Sequence, residues 1–134
     1  MENESESIFA KIIRGEIPCY KIYEDDNTLA FLDIHPVSSG HTLVVSKTQA
    51  PYVWDLNPMD YQNLMESVKK IADRIKEVLN PDYISEMVVG YDVRHAHVHL
   101  IPFSSPLDLQ RLFDTHKPET NDDELTLLAD RLKF

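Results

Sequence analysis

The chain has 134 residues, 43% of them hydrophobic, and carries 13 Lys and Arg against 23 Asp and Glu, for a formal net charge of −10. That length suits one domain able to bury about two-thirds of its unfolded surface. Its acidity argues against a nucleic-acid polymer as partner, because phosphates call for basic patches.

No stretch approaches the roughly 20 apolar residues of a membrane span, so no membrane partner is expected. Residues Met1 to Glu6 offer neither a basic region nor an apolar signal core, which makes the cytoplasm the expected address. The single cysteine, Cys19, allows no disulfide framework and reads as a small half-buried apolar residue.

In chain order, Ser7 to Arg14 predicts a short helix ended by Gly15, with Ile8, Phe9, Ile12 and Ile13 on its buried side. Strands follow over 20–24 and 28–34, joined by an Asp25-Asp26-Asn27 turn, and a third runs over 42–46. Asn57-Pro58 opens the main helix as N-cap and first helical residue. Apolar residues then recur every three and four positions from Tyr61 to Leu79, until Asn80-Pro81 stops the helix. Two more strands are expected over 86–92 and 95–101, a helical turn over 108–114, and an amphipathic helix over 122–133. The expected fold is α+β: an antiparallel five-stranded sheet with one long helix packed on it, plus a C-terminal helix. Residues 1–134 form a single domain in this reading, with a core over about 7–102 and a C-terminal extension over 103–134.

The segment His95-Ala96-His97-Val98-His99-Leu100-Ile101 carries the strongest chemical signal. Side chains alternate across a strand, so the three imidazoles would share one face while Ala96, Val98 and Leu100 share the other. Neutral imidazole can act as nucleophile, base or metal ligand. A metal shared by all three is disfavoured, because the outer pair start about 13 Å apart along a strand and zinc binds nitrogen at roughly 2 Å.

Other segments accompany the triad: Ile8 to Pro18 at the start, Tyr23 to Asp26, Phe31-Leu32-Asp33-Ile34-His35-Pro36, and Ser38-Ser39-Gly40-His41-Thr42-Leu43-Val44-Val45. Together with the three alternating histidines and the two apolar residues after them, they resemble the histidine triad family of nucleotide hydrolases and transferases, from about residue 7 to 102. The resemblance implies an enzyme that cleaves nucleoside 5′-monophosphate derivatives, either phosphoramidates or dinucleoside polyphosphates, through a nucleotidyl-histidine on His97. In that scheme His99 and His41 contact the phosphate and His95 supports the nucleophile. Asp33 would accept hydrogen bonds from the ribose hydroxyls, and Ile8, Phe9, Ile12, Phe31, Ile34 and Leu43 fall where the family walls its base pocket. About half of those six are expected to touch a ligand, the rest being core.

Two departures from the family pattern stand out. Tyr91 and Asp92 replace the Gln and Ser that many members carry after the glycine matched by Gly90. Asp92 is expected to share the histidine face, among the nucleotide-binding residues, and Arg94 to point away from it. The zinc-bearing members' Cys-x-x-Cys and following His are replaced by Ser7, Ala10 and Gln49, so no metal and no cofactor is expected. A homodimer is implied by the resemblance and by the wide apolar stripe of the 58–79 helix. A catalytically weak nucleotide-binding regulatory protein and a metal-dependent enzyme are the competing readings.

Overall fold

The computed structural model describes residues 6–114 and 119–134. Five strands, β1 (Lys21–Glu24), β2 (Thr28–Leu32), β3 (Thr42–Ser46), β4 (Tyr83–Met87) and β5 (His97–Phe103), form one antiparallel sheet in the order β1-β2-β3-β5-β4. Helices α1 (Ile8–Ile13), α2 (Pro58–Leu79), α3 (Pro106–Gln110) and α4 (Asp122–Leu132) complete the domain, with short 3₁₀ turns at Val53–Asp55 and Arg111–Phe113. The α+β architecture matches the sequence expectation. No helix among the described residues is long and apolar enough to cross a membrane.

Local chemistry sets the ends of the elements. Ser7 caps α1 by accepting from the Ala10 N–H, and Gly15 follows that helix at φ 81°, the left-handed conformation that glycine takes without a Cβ penalty. Asn57 caps α2 ahead of Pro58, and Asn80 ends it in the left-handed region. The β1–β2 turn is closed by Asp25, whose Oδ1 accepts from the N–H groups of Asn27 and Thr28. Burial pushes the pKa of that carboxyl up, but these hydrogen bonds, with that from the Tyr23 hydroxyl, outweigh it and bring the pKa to about 2.

Alternation across the strands then builds two different faces. Ala30, Leu32, Val44, Val98 and Leu100 pack with Leu64, Val68, Ile71 and Ile75 of α2 and with Leu125, Ala129 and Leu132 of α4 in the main core. On the opposite face, cross-strand register sets Phe31 beside Leu43 and Leu43 beside His99, while Leu29, Val45 and His97 form the next row. Helix α1 covers part of this second face through Phe9. Opposite the long helix, the sheet therefore presents histidines beside apolar residues.

Three expectations are corrected. Strand β4 lies at Tyr83–Met87 rather than 86–92, because the chain leaves the sheet after Met87 and turns at Gly90, whose φ is 67°. Asp92 thus belongs to a loop, and strand parity does not govern where it points. Strand β5 begins at His97, so His95 and Ala96 precede the ladder and are held by the bonds of Ala96 to the backbone of Ser46 and Ala50. Of the supposed buried face of α1 only Phe9 is buried; Ile8 is 48% exposed.

Candidate active site

A cavity of about 570 Å³ opens on the face opposite α2, within the size range of small-molecule sites. Its floor comes from β2, β3 and β5, which supply Phe31, Leu43, His97 and His99, and one wall from α1, which supplies Ile8, Phe9 and Ile12. Asp33 and Ile34 stand just past the end of β2, and Asp92 enters from the loop after β4. All six apolar residues picked from the sequence line this cavity, where about half were expected to meet a ligand.

The ring nitrogens of the four histidines can be assigned by elimination. His97 Nδ1 lies 2.6 Å from the His95 carbonyl oxygen, which can only accept. The ring proton of neutral His97 therefore sits on Nδ1 and the lone pair on Nε2. His95 Nε2 lies 2.7 Å from the Ser46 carbonyl oxygen, so its proton is on Nε2. His41 Nδ1 accepts the Val37 N–H at 3.0 Å and must be bare, which puts its proton on Nε2. That Nε2–H meets His99 Nδ1 at 2.9 Å, leaving the His99 proton on its own Nε2.

Burial reinforces the neutral state of the first two triad rings. Desolvation pulls His97 below the ordinary histidine range, although its bond to the His95 carbonyl and the carboxylates of Asp33 and Asp92 pull the other way. His95 is lowered likewise by burial, against the Ser46 carbonyl and with help from neighbouring His97. Phe9 packs edge-on against both rings, with centroids 5.0 Å from His97 and 6.0 Å from His95. A neutral, tautomerically fixed imidazole on the wall of an apolar cavity is a nucleophile that needs no prior deprotonation.

Not every histidine reaches the cavity. His95 is 0% exposed and His41 1%, and neither lines it. His41 stands behind His99 with its Nε2–H directed at that ring. Asp33 Oδ1 accepts the His35 N–H at 2.8 Å, and its Oδ2 lies 3.6 Å from His41 Nε2. Arg94 lies over the Tyr52 ring at 5.7 Å, and Lys47 pairs with Glu24 at 2.8 Å, so neither lines the cavity.

Asp33, His41 and His99 bring potential metal-ligand atoms within 4.8 Å of one another. The hydrogen bonding does not fit a cation there. A neutral His41 ligating through Nε2 would carry its proton on Nδ1, pointing at the Val37 N–H that Nδ1 accepts. At the family's zinc positions the donor set also fails: Ala10 has no donor atom, Gln49 is exposed, and the Ser7 hydroxyl is hydrogen-bonded to His95.

Sequence reasoning missed several of the lining groups. Cys19 joins the wall together with the preceding Ile17 and Pro18, and burial pushes its thiol upward. Leu112, Phe113 and Asp114 reach the cavity from the C-terminal extension. The only hint in the sequence was an adjacent Leu-Phe pair in a polar tail. Tyr91 also lines the mouth while remaining 85% exposed.

An α+β domain with a histidine-lined, ligand-sized cavity opposite its long helix is the class that fold and site define. A family profile described as "HIT domain" matches residues 14–105, and the chain belongs to that family. It is 40% identical over 100 residues to "Protein hit" of Bacillus subtilis, covering 71% of this chain and 69% of that one. It is 38% identical over 96 residues to "Adenosine 5'-monophosphoramidase hnt1" of Schizosaccharomyces pombe, covering 71% and 72%. A solved structure of a Hit-like protein from Bartonella henselae superposes with a TM-score of 0.83 at 30% identity, covering 98% of both chains.

Proposed function

We propose that this protein hydrolyses nucleoside 5′-phosphoramidates through a nucleotidyl-histidine on His97. The observation that carries the reading is the 2.6 Å bond from His97 Nδ1 to the His95 carbonyl, which leaves the Nε2 lone pair on a ring lining the cavity. The similarity to an adenosine 5′-monophosphoramidase supports the substrate class.

In this reading the base lies between the α1 residues Ile8, Phe9 and Ile12 and the sheet-side residues Phe31, Ile34 and Leu43, and Asp33 accepts from the ribose hydroxyls. His97 Nε2 attacks the α-phosphorus of a substrate whose amide nitrogen is already protonated; the P–N bond breaks, its electron pair goes to that nitrogen, and the amine departs neutral. The Nε2–H of His99 donates to a phosphoryl oxygen, where charge builds in the transition state. His41 holds His99 in that tautomer. Water then attacks the phosphorus, releasing nucleoside monophosphate and restoring His97.

Asp92 is exposed, and as a carboxylate it faces the amine rather than the phosphate. The placement of Tyr91 and Asp92 favours one rival, a binding protein with little turnover, because Tyr91 cannot supply the amide, nor Asp92 the hydroxyl, that many members carry at those positions. Release of adenosine monophosphate from adenosine 5′-phosphoramidate by the purified protein tests the proposal. Tight monophosphate binding with no release would favour the rival.

A further inference from the structure

The cap of α1 and the first triad histidine share one hydrogen-bond chain. Ser7 Oγ accepts the Ala10 N–H at 2.9 Å and lies 2.6 Å from His95 Nδ1. Because the Ser46 carbonyl fixes the His95 proton on Nε2, Nδ1 is bare and the Ser7 hydroxyl is the donor. Both nitrogens of a fully buried ring are thus engaged, and the carbonyl of the same residue accepts from His97 Nδ1.

We propose that Ser7 is a positioning residue for the nucleophile: its hydroxyl locks His95 in one tautomer and orientation, and so aims the His95 carbonyl at His97. The same oxygen anchors α1, whose Phe9 ring packs against both imidazoles. One serine therefore ties the nucleotide-binding wall to the reacting ring. The role assigned to His97 rests on the proposed function; the lock on His95 does not.

Three variants of the full chain separate this role from simple helix capping. Ser7→Thr keeps the hydroxyl. Ser7→Asp keeps a good capping oxygen but sets a carboxylate against Nδ1, where it favours the imidazolium. Ser7→Ala removes both interactions. The other titratable groups near the pair are His97, with Asp33 and Asp92 acting on it.

Imidazole ¹⁵N spectra and the pH profile of adenosine 5′-phosphoramidate hydrolysis are the two readouts. At about pH 6.5, where an ordinary histidine is half protonated, wild type and Ser7→Thr should hold His95 in the Nε2–H form. In Ser7→Asp, His95 should take up a second proton at or above that pH. Its kcat should fall at least about tenfold below that titration and recover above it, with KM little changed. Ser7→Ala should lower kcat by about tenfold at every pH and mix the His95 tautomers. If Ser7→Asp and Ser7→Ala leave the His95 spectrum and the profile as in wild type, the serine is only a cap and the proposal fails. If wild type itself turns over no phosphoramidate, the proposed function fails alone, and the spectra still decide the lock on His95.

Discussion

His97 Nδ1 and the carbonyl oxygen of His95 lie 2.6 Å apart, a bond between residues two apart in the chain that fixes which nitrogen of His97 can attack. It forms because His95 precedes the β5 ladder, where its carbonyl is not committed to a neighbouring strand. His97 and the group that orients it are therefore only two residues apart in sequence.

The lowered affinity of His97 and His95 for protons sets the pH dependence. Folding disfavours their charged forms, so the unfolded chain binds more protons below about pH 6.5, and stability is lost as pH falls from there. Asp25, with its folded pKa of about 2, contributes stability that is present above about pH 4 and lost only toward pH 2. Melting temperature should thus fall between pH 7 and 5 before the Asp25 loss begins. The acid limb of kcat/KM should have its midpoint below about 6.5. A midpoint above that value would contradict a buried, neutral nucleophile.

The leaving group should be small and uncharged or cationic. Among the described residues no Lys or Arg lines the cavity, whereas Asp33, Asp92 and Asp114 do. Polyphosphate chains bind best through clustered cations. Adenosine 5′-phosphoramidate should therefore exceed diadenosine tetraphosphate in kcat/KM by at least about tenfold. A tetraphosphate preferred by about tenfold would overturn the charge argument.

In the proposed binding mode, Asp33→Asn should weaken adenosine monophosphate binding by about tenfold or more, because an amide N–H would replace the acceptor assigned to the ribose. The amide oxygen can still take the His35 N–H, so the turn survives. Calorimetry with a 2′,3′-dideoxy monophosphate supplies the control. If that ligand loses as much affinity as the ribonucleotide, Asp33 does not read the ribose.

The expected homodimer finds candidate surfaces in Met59 and Tyr61 of α2 and Tyr83 of edge strand β4, all large and exposed. Light scattering at micromolar concentration should give about twice the 15.5 kDa chain mass. A mass that stays at the chain value would contradict it.

Periodicity made α2 legible to the residue, since Asn57, Pro58 and Asn80 punctuate a regular apolar stripe. The same reasoning placed β4 too late. Val88 and Val89 read as strand, but the positive φ of Gly90 and the exposed Tyr91 and Asp92 belong to a loop that leaves the sheet. Asp92 lines the cavity only because of that loop, since unbroken strand alternation would have set it with Arg94 and Ala96, away from the histidines. By spacing alone Ile8 and Ile12 read as core, because apolar periodicity does not distinguish a packed face from the wall of an open cavity; only the resemblance set them in a pocket. The Ser7–His95 bond spans 88 residues and left no local trace. Leu112 and Phe113 were equally hidden, since nothing near them in sequence indicates where the extension returns.

The covalent role of His97 is tested most directly by quenching turnover of labelled adenosine 5′-phosphoramidate in base and looking for label on the protein. The wild type should carry the nucleotidyl group on a peptide containing His97. His97→Ala should carry none, with turnover lower by several orders of magnitude and monophosphate affinity within about tenfold of wild type. Near-normal turnover in His97→Ala, or label on another residue, would contradict the mechanism.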